Sequence, residues 1–325
     1  MIIAASGLAG DLKYKITAEG GLARASSRVN DAQNFLLTGI EGQLKLAHAT
    51  KKYGWYLQTD LQPEIFHQSF SITAINWQVK GQYLRKYRRF SWRIKSDYRL
   101  NRVSVSTIDL TYNILLTGAH LNWYLKPGNS LVFSAEVALR NLDAGLKNDF
   151  QAYLFSAKWL RFLSLSTKFS AGLFAENFYI DGRPGEDGLS ENNGWRIGPE
   201  VALDYKRRFV INARYRLISH QSQLIDDPVL EHWMRFVFGK ILSPRWSLFM
   251  LADFYFRNND SQPDINPNLL YTPLSNQNRF YVKLGNELNR QVDLFLKIGY
   301  INEDLVYDGL TFSGWRGTVG LEIRN

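Results

Sequence analysis

Residues 90 to 101 read Phe90-Ser91-Trp92-Arg93-Ile94-Lys95-Ser96-Asp97-Tyr98-Arg99-Leu100-Asn101. Successive side chains of an extended strand point to opposite faces. Phe90, Trp92, Ile94, Tyr98 and Leu100 therefore make one greasy face, with Ser96 among them, and Arg93, Lys95, Asp97 and Arg99 make a charged one. The alternation outlasts the ~5 to 6 residues usual for a soluble strand. Residues 195 to 206 repeat it, with Trp195, Ile197, Pro199, Val201, Leu203 and Tyr205 against Arg196, Gly198, Glu200, Ala202, Asp204 and Lys206. Segments 131 to 140, 246 to 257, 279 to 289, 292 to 303 and 314 to 324 follow the same rule. No segment of useful length carries a 3.6-residue period, so no substantial helix is expected.

Composition narrows the class. The chain has 325 residues, 39 Lys and Arg against 30 Asp and Glu, a net charge of +9, 45% hydrophobic residues and no cysteine. Disulfide scaffolds, Cys-ligated zinc, iron-sulfur clusters and Cys nucleophiles are excluded. The apolar fraction is too high for a disordered chain. No run approaches ~18 apolar residues, which excludes helical membrane spans. A soluble all-β protein or a membrane β-barrel remains. Residues 1 to 10 (MIIAASGLAG) lack a basic n-region and are too short for a full signal peptide. They are expected to be a signal-peptide remnant or a periplasmic extension, with the barrel running from 11 to 325.

The pattern places strands at about 11–27, 34–49, 54–62, 69–85, 89–102, 108–125, 130–141, 149–161, 165–179, 194–206, 208–219, 229–242, 245–257, 277–289, 291–303 and 311–324. That makes about 16 strands, within a range of 14 to 18. Phase changes in the alternation predict bulges at Gly20-Gly21 and near Leu115 to Thr117. Tight turns follow every even strand, as at Lys126-Pro127-Gly128-Asn129 and Ser243-Pro244-Arg245. Loops after odd strands are generally longer, notably 181–193, 221–228, 258–276 and 304–309. Aromatic residues gather at both strand ends: Trp55, Phe90, Trp92, Trp123, Trp159 and Trp246 near the short turns, and Tyr179, Trp195, Phe256, Tyr300 and Trp315 near the long loops. Two such belts suit the two interfaces of a membrane.

On these features the whole chain resembles porin-like bacterial outer-membrane β-barrels. The resemblance implies an all-β, transmembrane, antiparallel up-and-down barrel integral to the bacterial outer membrane, with short turns in the periplasm. Two departures stand out. Members of this group often end in an aromatic residue, whereas this chain ends Glu322-Ile323-Arg324-Asn325; and the third long connection, residues 103 to 107, is too short for a porin-style constriction loop.

Parity sends Arg93, Lys95, Asp97, Arg99, Arg196, Glu200, Asp204, Arg214, Arg216, Arg279 and Lys283 inward as pore-lining residues, together with Lys13, Lys15, Glu19, Glu41, Lys45, Asp60, Lys80, Glu136, Arg140, Lys158, Lys168, Glu176, Asp253, Arg257, Glu287, Asp293, Lys297, Arg316 and Glu322. So many ions require a hydrated or thoroughly paired interior. Cations outnumber acids, so an open pore would favour anions. The alternative is a self-neutralising ladder of cross-strand ion pairs that stiffens the wall. The short turns carry Lys51, Lys52, Arg88, Arg89, Lys126, Arg161, Arg207 and Arg245, a basic rim for anionic headgroups or an acidic periplasmic partner. Without a contiguous basic patch or motif, nucleic-acid binding is not expected.

Catalytic signals are few. Ser219-His220-Gln221-Ser222-Gln223 resembles the His-x-Ser element of outer-membrane phospholipase A and lipid A deacylases, which would make His220 the base and Ser222 the nucleophile. Gln223-Leu224 replaces the usual Asn-Gly, and parity turns both residues inward, away from lipid. The five histidines lack metal-ligand spacing, Asn258 to Asp264 lacks an EF-hand pattern, and Gly182 to Gly188 opens no helix. Glu200 and Asp204 read as ion-pair members. No cofactor or metal and no enzymatic activity are expected. The leading expectation is passive diffusion of small polar or anionic solutes. The second is a non-conducting barrel that anchors an envelope complex, and a lipid hydrolase is a minor third.

Overall fold

Alternating strands of this length, apolar on one face only, satisfy their backbone in lipid by closing on themselves. The computed structural model describes residues 11–26, 33–67, 72–105, 108–143, 149–181, 191–223, 227–258, 278–304 and 311–325. These contain sixteen strands: β1 (Asp11–Ser26), β2 (Gln33–Ala49), β3 (Tyr53–His67), β4 (Ile72–Lys86), β5 (Phe90–Val105), β6 (Ile108–Lys126), β7 (Asn129–Asp143), β8 (Phe150–Phe162), β9 (Thr167–Asp181), β10 (Glu191–Lys206), β11 (Val210–Ser222), β12 (Val229–Ile241), β13 (Trp246–Asn258), β14 (Asn278–Asn289), β15 (Val292–Asp304) and β16 (Thr311–Arg324). Each pairs antiparallel with its neighbours in sequence, and β1 pairs with β16 from Lys15–Arg324 to Ser26–Ser313. Closure leaves no sheet edge. An even strand number puts the two ends of the barrel sequence on the side of the short turns, where the Asn325 amide donates to the Tyr14 carbonyl at 3.3 Å. Residues 1–10, and much of the long loops, lie outside the described residues.

All sixteen expected segments are strands, with two instructive differences. β3 runs through Pro63 to His67. Its pairing with β2 skips from Gly39–Glu64 to Gly42–Leu61, so the missing proline N–H falls where that ladder has no bond. The two predicted bulges do not exist. Register is unbroken through Gly20 and Gly21 and through Leu115 to Thr117; it shifts instead at Tyr124/Lys126 and Glu287/Asn289, beside short turns. The alternation changes phase because part of the inner wall is apolar. Leu116 packs inward against a cluster of Ala138, Phe150, Ala152 and Phe178, and Ala23 and Phe35 form a second inner cluster.

The turns follow their chemistry. In the β6–β7 turn Gly128 takes a positive φ of 81°, which a side chain would strain. β5 and β6 stay paired up to Val105–Ile108, so two residues join them and no constriction loop starts there.

Candidate functional site

The outer face carries exposed Ile40, Leu57, Ile94, Phe155, Leu173, Ile197, Ile298 and Val319. Exposed Phe90, Trp123, Trp159 and Trp246 lie toward the short turns, and Trp195, Phe256 and Trp315 toward the other end. A closed barrel with an apolar outside, aromatic girdles and a charged inside has the architecture of an integral outer-membrane β-barrel. Its interior is the candidate site.

There the register brings acids and bases into hubs. Glu200 of β10 receives Lys158 Nζ at 2.5 Å from β8, Arg216 Nε at 2.5 Å and Arg214 Nε at 3.7 Å from β11. Glu231 of β12 accepts from Arg196 Nη2 at 2.6 Å and Arg257 Nη2 at 2.8 Å, and its Oε1 lies 2.6 Å from His220 Nδ1. Arg196 also bonds Glu176. Asp253 lies between Arg279 at 3.5 Å and Arg235 at 3.9 Å. Lys283 meets Glu322 at 2.9 Å, and Lys168 meets Asp204 at 3.2 Å. Along the inner wall Arg316 of β16 bridges Glu19 of β1 and Glu64 of β3. Cations also cover inner aromatics, with Arg216 between the Phe174 and Trp233 rings at 4.4 and 4.8 Å.

Two of these hubs, at Glu200 and Asp253, are layered. Glu200 and Asp253 side chains are each 1% exposed, whereas Arg214 is 36%, and Arg235 and Arg279 are 35%. Short carboxylate arms end near the wall; longer Arg and Lys arms reach them from above and turn their remaining surface to the lumen. At the Glu200 and Asp253 hubs the cations are thus more exposed than the carboxylates they meet.

The register puts the ions expected from parity on the charged face of their strands, many of them in ion pairs. Arg93, Lys95 and Arg99 do not act as three free cations. Lys95 pairs with Glu136 at 2.9 Å, and Arg99 with Asp97 at 2.9 Å, the latter also bonded by Gln78. Arg93 alone of the three has no carboxylate at ion-pair distance among the described residues; its partner across the ladder is His120. Parity missed Glu231, Glu64 and Arg235. The inward faces of their strands mix ions with large apolar groups, as Val229 and Trp233 flank Glu231, and so do not look like a wet face. His220 and Ser222 are inward and buried, His220 fully so, its ring edge-on to Phe178 with centroids 5.2 Å apart.

No family model matches the chain, and no curated protein matches it. Among solved structures it is similar to OccAB4 of Acinetobacter baumannii at 8% identity and TM-score 0.46, covering 97% of this chain and 98% of that one. It is also similar to OpdO of Pseudomonas aeruginosa at 10% identity and TM-score 0.46, covering 97% of each chain. For the siderophore receptor PirA of Pseudomonas aeruginosa the values are 8% and 0.39, with 97% of this chain and 80% of that one covered. The architecture stands on the strand pairing itself.

Proposed function

We propose that this barrel is an outer-membrane channel for passive diffusion of small polar solutes, with a preference for anions. The observation that carries the proposal is the layering at the Glu200 and Asp253 hubs, with buried carboxylates beneath the more exposed guanidinium groups of Arg214, Arg235 and Arg279. A ring of such cations lowers the cost of dehydrating an anion and repels cations at close range. Sixteen strands enclose enough width for water and a solute. The test is reversal potential across a planar bilayer holding the purified barrel, under a potassium chloride gradient. Chloride preference supports the proposal; a cation preference, or a folded barrel that conducts nothing, overturns it.

A non-conducting anchor is the second reading, and one observation favours it. Arg196, Glu231, His220 and Phe178 are all but inaccessible, so β9 to β12 form a thick, packed wall segment instead of an open wet one.

A further inference from the structure

The outer face holds a depression that the channel reading does not use. Ala119, Ala135, Ala157 and Ala175 lie on four successive strands, β6 to β9, and bare the backbone between them. Trp92, Leu121, Phe133, Phe155, Leu173 and Ile197 wall the groove, whose volume is about 640 Å³. Its short-turn end opens toward a cationic rim. Arg89 precedes Trp92 by three residues, Lys126 follows Leu121 by five, and Arg161 follows Ala157 by four. These three side chains are exposed, and β5, β6, β7 and β8 place them on adjacent turns: the Tyr124 amide donates to the Arg89 carbonyl at 2.9 Å, and Asn129 pairs with Arg161. Three to five residues of strand span about 10 to 17 Å. That is the reach from a phospholipid phosphate into its own acyl chains, within half of a ~30 Å hydrocarbon core.

We propose that the groove seats an acyl chain of one anionic phospholipid, whose phosphate lies against Arg89, Lys126 and Arg161. Charge selects the headgroup, because cations at the membrane surface attract anionic lipid. Shape selects the chain, because an apolar trough empty of methylene groups forfeits contacts that a flat wall would make. This inference rests on the membrane-spanning barrel and is independent of conduction.

Native mass spectrometry of the purified barrel in detergent, supplied with phosphatidylglycerol or phosphatidylcholine, tests it. One phosphatidylglycerol should be retained several-fold more than any further lipid. Ala135→Phe with Ala157→Leu fills the groove with groups that suit a lipid face, and should abolish that excess. Arg89→Gln, Lys126→Gln and Arg161→Gln together should reduce phosphatidylglycerol to the level of phosphatidylcholine while a chain stays bound. Should the double variant fail to show the gel shift of a folded barrel, Ala119→Leu replaces it. Equal retention by wild type and groove-filled barrel overturns the proposal. A dimer lost on filling overturns it too, by making the groove a self-association face.

Discussion

Lys158 meets Glu200 across an intervening strand: Nζ lies 2.5 Å from Oε1 although β9 separates β8 from β10. The residue between them in register is Gly172. Lys95 and Glu136 repeat the arrangement over Gly118. A Cβ on Gly172 would stand 2.2 Å from the Ala157 carbonyl oxygen and 2.8 Å from Lys158 Cγ. Glycine here serves as a saddle over which an ion pair passes.

Gly172→Leu should therefore destabilise the barrel by about 1 to 3 kcal/mol, the usual cost of overpacking. Gly81→Leu is the control, since a Cβ there meets nothing within 4 Å and the position faces lipid. Thermal midpoints in detergent measure both. Equal midpoints would mean the wall yields without losing the Lys158 contact.

Glu231→Ala should cost about 3 to 5 kcal/mol, because it leaves buried Arg196 and Arg257 short of a carboxylate. Glu41→Ala removes a partner of Lys15 at 3.6 Å from a site open to water, and should cost less than about 1 kcal/mol. Urea unfolding in lipid vesicles supplies the comparison. Similar losses at both positions would deny the hub its structural role.

Ile298 is exposed on the outer face of β15 and stands well inside the strand ends. Ile298→Arg should cost about 2 to 4 kcal/mol near the bilayer midplane. Ser170→Arg, on the inner face of β9 beside Ala202, should be milder. Folded fraction after insertion into vesicles checks the pair, and equal tolerance would contradict the face assignment.

Architecture was legible because a period of two survives any error in strand ends: Arg93, Lys95, Asp97 and Arg99 face inward whether β5 ends at residue 102 or at Val105. Phase of alternation is a poor guide to bulges here, because Leu116 and Ala23 face inward against other apolar groups. The hubs were out of reach for another reason. Lys158 and Glu200 are 42 residues apart and not on paired strands, so neither spacing nor ladder partnership joins them. Their common signal is an inward glycine flanked by strands of opposite charge, readable only once the register is known.

Orientation follows from the connections. Arg88 lies in the short β4–β5 turn, and position 188 in the connection between β9 and β10. No native cysteine interferes. In intact cells Gly188→Cys should react with a membrane-impermeant maleimide, and Arg88→Cys only after the outer membrane is breached. The opposite labelling would invert the barrel.

Selectivity gives the last prediction, and the choice of residues matters. Arg93 has no carboxylate of its own among the described residues, and Arg214 is the farthest of the three cations around Glu200, at 3.7 Å. Arg93→Gln with Arg214→Gln thus removes two lumen cations without orphaning an acid, and should lower anion preference while keeping the fold. Arg235→Gln with Arg279→Gln is different, because those two cover Asp253. Removing them uncovers a carboxylate as well as deleting two cations, so the reversal potential should move further, toward cations. Both shifts should be larger in 0.1 M salt than in 1 M, where the screening length falls from about 10 to 3 Å. Equal shifts for the two double variants would mean that the layering of acids beneath cations does not govern permeation, even if the barrel conducts.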